Sequence, residues 1–375
     1  MAQQSSTKKV TKVLLWHHPI PSLYEHDVAS RVIPTINLAA LFEADSPPGH
    51  ALATTDRAVF EAATTLGFMA ITGLPHGADI DASAKQTLTT LFNLTAEEQR
   101  GLWKRNFEPG NPNLYRGWFP LHSGPTLSRE GFEIGPDVIR SLPNPTGDVL
   151  LEPTPLPSDA ALPHFRTVAG RYYAAMETIG AAVLASLSRG LGIAPAIFRD
   201  AFTGGISTLR LLRYIPRHDL PISDVLKTTR GAHVDTGMLT LLAPVNGALG
   251  LEVEVTQGNW LRVPAEEGTL VVNFGGLLER WTGGLIKATR HGVGAVDSER
   301  FSIPFFMEPS PDTLITPLPL TGIPPFKPFL FGDHLWATTT QFTENWGLSH
   351  LRPHQSDYED PLQRVSGQSS SEPVY

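Results

Sequence analysis

The chain has 375 residues, of which 41% are hydrophobic and 18% charged, the balance of a globular protein long enough to bury a substantial core and not that of a disordered chain. Its formal net charge of -8 argues against a polyanion as main partner, because a nucleic-acid binder neutralises phosphates with a basic footprint. With no cysteine there are no disulfides, thiolate ligands or thiol nucleophile, so any metal must be held by nitrogen and oxygen.

Residues 1–31 contain only a short apolar run, too brief for a signal peptide or a membrane span; they are expected to form an extension, and the cytoplasm is the expected compartment. An α/β region is expected over 32–200. In it, ATTDRAVFEAATTLG reads as an amphipathic helix with Val59, Ala62, Ala63 and Leu66 on one stripe and Gly67 as its stop. DIDASAKQTLTTLFNL reads as a second helix, and Thr95 with Glu98 forms a capping box for a short third one. Residues 106–157 are rich in Gly and Pro and read as loops over a cavity mouth, the candidate substrate lid. Between 158 and 192, Phe165, Ala169, Tyr172, Met176, Ile179, Val183, Leu187 and Leu191 recur at helical spacing, which predicts a long helix with one buried stripe.

From Ser207 onward the pattern changes to short apolar runs separated by Gly, Pro, Asn and Asp: STLRLLRYI, HVDTGMLTLLAPV, LEVEV, WLRVP, GTLVVNF, KATRHGV and RFSIPFFMEP. Such strands fit a jelly roll, assigned to a core over 201–310. A closing segment over 311–351 includes GDHLWATTTQFTENWG, read as a helix with Leu335, Thr339, Phe342 and Trp346 packed, and the polar residues 352–375 are expected to be a disordered tail. The expected fold class is mainly β with α: a double-stranded β-helix, or jelly roll, flanked by helices, the long one backing it.

His233 and Asp235 are two apart, and a strand sends alternate residues to one side. With His291 far along the chain they supply two imidazoles and a carboxylate, which can hold Fe(II) by one face and leave the other to reacting molecules. His-x-Asp alone is a common accident, and a histidine in an apolar strand is more often packed than ligated; the distal histidine and Arg300-x-Ser302 beyond it make the combination specific. A guanidinium fork beside a hydroxyl suits a carboxylate. Arg210 shares a strand face with Leu212 and Tyr214. If that face is inward, Arg210 either meets a substrate carboxylate or, the preferred reading, pairs with a charge in the helical layer. Trp118, Phe132, Trp281 and Phe306, with Tyr115 and Phe119, lie near motif or lid segments as candidate pocket walls, although each such aromatic is more often core. His17, His18, His76, His122 and His334 lie outside a ligand spacing and read as surface or packing residues.

Together these residues resemble the Fe(II)- and 2-oxoglutarate-dependent oxygenases of the isopenicillin N synthase-like group. VIPTINLAALF is similar to that family's opening strand, FEAATTLGFMAITGLPHG to its helix followed by a Gly-Phe-Phe-type strand, and FNLTAEEQRGLW to the segment that follows. YRGW resembles a Gly-Tyr element and LRLLRYIP the strand ending in Tyr-Pro. The resemblance implies metal ligation by His233, Asp235 and His291, and a clamp for the 2-oxoglutarate carboxylate made by Arg300 and Ser302 with Tyr214. Leu212 stands where many members carry Asn, Gly292 and Val293 follow His291 where Arg-Val is common, and Gly283 and Gly284 replace an Asn-Gly. Asp235 argues against the halogenating branch, which lacks the carboxylate. The implied activity couples oxidative decarboxylation of 2-oxoglutarate, with Fe(II) and O2, to hydroxylation, desaturation or cyclisation of a small organic molecule. The alternatives are an iron oxidase of the same fold that needs no 2-oxoglutarate, with Arg300 and Ser302 taking the substrate's own carboxylate, and a non-catalytic jelly-roll binding protein.

Overall fold

The computed structural model describes residues 32–43, 49–123, 128–216, 231–246, 250–264, 266–293 and 298–361; the N-terminal extension expected over 1–31 lies outside them. Strands β1 (Thr35–Asn37), β2 (Phe68–Thr72), β3 (Gly117–Ser123), β4 (Ser128–Ile134), β5 (Thr208–Ile215) and β6 (Leu239–Pro244) are followed by β7 (Leu251–Thr256), β8 (Asn259–Arg262), β9 (Leu270–Phe274), β10 (His291–Val293) and β11 (Arg300–Met307). Eight form one sheet in the order β1, β2, β9, β6, β11, β5, β4, β3, and β10, β7 and β8 form a second. All pairs are antiparallel except β1 with β2. This is a mixed α/β architecture built on a large antiparallel sheet, consistent with a jelly roll.

Alternation along β5 sorts its side chains between two environments. Leu209 and Leu211 join the main core with the helices, whereas Leu212 and Tyr214 pack with Phe119 in a separate cluster on the opposite side. The helices are α1 (His50–Thr65), α2 (Ala82–Thr89), α3 (Ala96–Gly101), α4 (Phe165–Leu191), α5 (Ala196–Ala201), α6 (Gly276–Trp281) and α7 (Phe331–Thr339). Every residue of the stripe expected between 158 and 192 is buried in α4. That helix lies on β11, with the Tyr173 and Phe305 rings 4.9 Å apart and Gly180 making room for Met307. It stops at Gly192, left-handed at φ 68°, which only glycine adopts without cost. The predicted capping box at Thr95 and Glu98 is present, and Asp81 caps α2 through the Ala84 N–H at 2.8 Å.

Three expectations are corrected. Residues 106–157 are not simply loops: β3 and β4 lie within them and extend the large sheet beyond β5. The approach to β3 is fastened by Glu152, whose carboxylate accepts the N–H groups of Leu114, Tyr115 and Arg116, so part of this segment is built into the wall of the sheet. The closing helix ends at Thr339, leaving Trp346 40% exposed where packing was expected. The tail expected from Arg352 is tied down at its start. Arg352 is 4% exposed and bonds Asp148 and Asp333, and the wholly buried Asp333 also accepts from the backbone of Gln355 and Ser356. A buried carboxylate demands such donors, and hydropathy does not register them. Residues 362–375 lie outside the described structure. No helix described is long and apolar enough to cross a membrane.

Candidate active site

His233 precedes β6 and forms an isolated bridge to His291 of β10, the two exchanging backbone N–H to carbonyl bonds of 2.9 Å each. Asp235 lies in the stretch leading into β6, so the pair expected on one strand converges from an extended approach to it. Each imidazole is oriented by its Nδ1, which lies 2.9 Å from the Gly231 carbonyl for His233 and 3.0 Å from that of Thr289 for His291. A proton on Nδ1 leaves the Nε2 lone pair free for a metal. Both Nε2 atoms face Asp235 Oδ1, at 3.4 and 3.6 Å, and all three potential ligand atoms lie within 4.8 Å of one another.

The second carboxylate oxygen is occupied, since Asp235 Oδ2 accepts from Thr240 Oγ1 and Asn273 Nδ2, both at 2.7 Å. Burial opposes the charge on Asp235, but His291 and His233 overcome it and hold the carboxyl well below its usual range; Asp235 in turn raises His291 against the effect of burial. Two borderline nitrogen donors and one hard oxygen, grouped to one side, fit Fe(II). Backbone contacts hold the Asp235 segment: its carbonyl accepts the Gly276 N–H at 2.7 Å, and a Cβ at Gly275 would overlap the Gly237 carbonyl oxygen.

Arg300 begins β11 opposite Tyr214 of β5, and Ser302 is opposite Leu212. The Arg300 side chain is buried, yet none of its three guanidinium nitrogens finds a hydrogen-bond partner among the described residues. Its Cζ lies 4.6 Å over the Tyr214 ring, and Ser302 Oγ donates to Tyr214 Oη at 3.4 Å. Burial, reinforced by Arg262, lowers the Arg300 pKa against the opposing effect of Tyr214. A buried cation without an acceptor is costly. A carboxylate at this point would satisfy the fork, with the Ser302 and Tyr214 hydroxyls beside it.

The structure divides the other candidates. Phe306 shares the inward face of β11 with Arg300 and Ser302, and Arg210 stacks on its ring with Cζ 5.1 Å from the centroid. Arg210 pairs with Glu133 of β4 and, at 3.2 Å, with Glu344 of the C-terminal segment. The salt bridge expected for it exists, but to a neighbouring strand and to the short 3-10 helix Thr343–Asn345 of the C-terminal segment. Trp118, Phe132 and Trp281 belong to the main core: Trp118 packs on Phe92, and Trp281 packs on Phe198 and donates to the Thr316 carbonyl. On β3 and β4 the alternation turns Phe119, Gly131 and Glu133 inward instead. Thr240 and Asn273, which secure Asp235, escaped the sequence reading. Their signal was a lone polar side chain within each of the apolar runs LTLL and LVVNF, since such a group must find a partner once buried.

Comparison with known proteins agrees with this geometry. The model of the 2OG-Fe(II) oxygenase superfamily matches residues 207–309, a span that includes all three potential ligands and the Arg300 strand. The chain is 32% identical to the 2-oxoglutarate-dependent dioxygenase traH of Penicillium crustosum over 74% of its own length and 84% of that protein. It is 31% identical to the 2-oxoglutarate-dependent dioxygenase caaD of Aspergillus niger, over 73% and 83%. Among solved structures it resembles full-length Neurospora crassa T7H in complex with alpha-KG, with a TM-score of 0.68 at 23% identity over 83% of this chain and 96% of that one.

Proposed function

The chain belongs to the 2-oxoglutarate-Fe(II) oxygenase superfamily, and on that premise we propose that His233, Asp235 and His291 hold its iron while Arg300, Ser302 and Tyr214 receive the far carboxylate of 2-oxoglutarate. It is a 2-oxoglutarate-dependent dioxygenase that oxidises a small organic molecule with Fe(II), 2-oxoglutarate and O2. Three donor atoms meeting within 4.8 Å, both imidazoles turned by their Nδ1 contacts, carry the site assignment. The unpaired Arg300 supports it. The two sheets are read as the faces of a double-stranded β-helix and α4 as the helix backing it.

Bound iron supplies the redox chemistry by which 2-oxoglutarate loses CO2 to give succinate while the substrate is hydroxylated, desaturated or cyclised. The chain supplies position and surroundings. Thr240 and Asn273 engage Oδ2 of Asp235, so the carboxylate presents Oδ1 alone and the remaining face stays free. Arg300 neutralises the dicarboxylate at its far end and the Ser302 and Tyr214 hydroxyls fix its direction. Phe119, Leu212 and Phe306 on the inward face exclude water from the reacting centre.

Purified protein reconstituted with ferrous salt is expected to bind about one iron per chain, the capacity of a single three-residue face, and to release succinate from 2-oxoglutarate. Alanine at His233, Asp235 or His291 is expected to abolish both. Retention of iron and turnover by any of these variants would remove that residue from the centre, and product formed without 2-oxoglutarate would assign Arg300 to the substrate's own carboxylate.

A further inference from the structure

The inward face of the large sheet carries more charge than a metal and a dicarboxylate require. An alternating chain crosses it: Lys104 pairs with Glu133 at 2.5 Å, Glu133 with Arg210, Arg210 with Glu344 at 3.2 Å, and Glu344 with Arg129 at 3.4 Å. The inner end is closed, because Lys104 is fully buried and also donates to Asn345 at 2.9 Å. Within these direct ion pairs three cations share two carboxylates, and the cation at the open end is Arg129. The Arg129 side chain is 18% exposed, and its single ion pair among the described residues is the longest of these four. Buried charges are tolerated when each meets its counter-charge, and Arg129 meets half of one.

Its position gives this cation a use. Arg129 of β4 is the register partner of Tyr214 on β5, itself the partner of Arg300 on β11. Arg129 and Arg300 therefore share the inward face two strand spacings apart, about 10 Å. Glu344, shared with Arg210, draws the Arg129 guanidinium along the sheet toward Arg210 and away from the clamp. The apolar side chains of this face are Phe119, Leu212 and Phe306, with the Arg210 guanidinium 5.8 Å from the Phe119 ring and 5.1 Å from that of Phe306. Phe306 is the register partner of Thr240, whose hydroxyl holds Asp235. A molecule lying over Phe306 thus has the three-ligand centre on one side and Arg129 within reach on the other.

We propose that Arg129 is the receptor for the substrate's anionic group: the enzyme oxidises a small organic acid whose carboxylate completes the charge chain at Arg129 and whose apolar body rests on Phe119, Leu212 and Phe306. Glu344 and Arg210 are positioning residues for that guanidinium. The proposal rests on the iron and 2-oxoglutarate assignment above and adds the substrate class.

Calorimetric titration under anaerobic conditions, on protein loaded with Fe(II) and 2-oxoglutarate, tests it with matched acids and amides: phenylacetate and phenylacetamide, 3-phenylpropionate and 3-phenylpropionamide, hexanoate and hexanamide. At least one acid is expected to bind ten- to hundredfold more tightly than its amide, the worth of a charge-assisted pair. Arg129→Gln is expected to erase that preference and Arg129→Lys to restore most of it. If no acid binds, or acid and amide bind equally, the proposal is overturned. It is overturned equally if Arg129→Gln keeps the preference, or weakens 2-oxoglutarate instead of the acid, which would place Arg129 in the co-substrate clamp. Should the Gln variant not fold, the acid-against-amide comparison in the unsubstituted protein decides alone. Failure of that protein to bind iron or 2-oxoglutarate would be a different result, one that overturns the site assignment beneath the proposal.

Discussion

Arg300 is buried with no acceptor for any guanidinium nitrogen among the described residues, so its contributions to stability and to binding should have opposite signs. Arg300→Met is expected to stabilise the ligand-free protein by on the order of 1 kcal/mol, because an uncompensated buried charge is removed. The same change should weaken 2-oxoglutarate by about 1.5–3 kcal/mol, roughly ten- to hundredfold, the worth of hydrogen bonds to a charged group. Arg300→Lys should regain only part of the affinity, since an ammonium supplies charge without the fork. Thermal unfolding without ligand and titration with 2-oxoglutarate read the two effects separately; a loss of stability in the Met variant would mean that Arg300 already has a counter-charge in the empty site. At this scale the residues proposed as ligands and clamp stand out in the sequence, because His-x-Asp and Arg-x-Ser are short patterns whose chemistry resides in the residue types. Arg129 was not, since its importance comes from the two carboxylates and two cations aligned behind it.

Periodicity located α4 and the strands from β5 to β11, but it misread the wall made by β3 and β4. Gly117 and Gly131 look like loop residues in sequence, yet in β4 a Cβ at Gly131 would strike Phe119 and the Leu211 carbonyl. Glycine is there to let neighbours close in, a use of the residue that imitates a turn signal. Gly275, which opens α6, shows the same effect beside the proposed metal ligands. Its φ of -93° suits any residue, so the cost of a substitution is steric and not conformational. Gly275→Ala must displace the Gly237 carbonyl and with it the segment that carries Asp235. A destabilisation of about 1–3 kcal/mol is expected from such overpacking, together with weaker iron binding. Urea unfolding of the metal-free protein and iron titration check both; normal iron affinity in a destabilised variant would show that the Asp235 segment adjusts independently of α6.

Across the whole molecule, buried carboxylates set the dependence of stability on pH. Glu308 follows β11, is buried, and accepts from Thr208 Oγ1 at 2.7 Å. Burial pushes its pKa up to about 7 against the pull of Arg116. A folded value above the ordinary 4.5 means that the folded state binds more protons between these limits, so this group's contribution to stability falls as pH rises from about 4.5 to about 7 and is constant beyond. Glu308→Gln should remove that loss, making the variant more stable than the unsubstituted protein at pH 8 relative to pH 4.5 by on the order of 1–3 kcal/mol. Denaturant unfolding of both proteins across that range gives the difference curve, and a flat one would show Glu308 to be ionised throughout. Glu344 acts in the opposite sense: burial is outweighed by Arg129 and Arg210, which hold it at about 2, so its contribution is present above 4.5 and fades as pH falls toward that value. None of this was readable in advance. The sequence by itself determined the donor types, their spacing along each strand and the run of helices and strands, because these depend on side-chain chemistry and on periods of two or 3.6 residues within one segment. Only the tertiary structure decided which face of β5 is inward, that Arg210 answers to Glu133 and Glu344, that Arg352 is fastened to Asp333, and that the Arg300 guanidinium finds no hydrogen-bond partner among the described residues. Ion pairs and close contacts between residues far apart in the chain depend on where distant backbones meet, and that meeting leaves no local pattern to read.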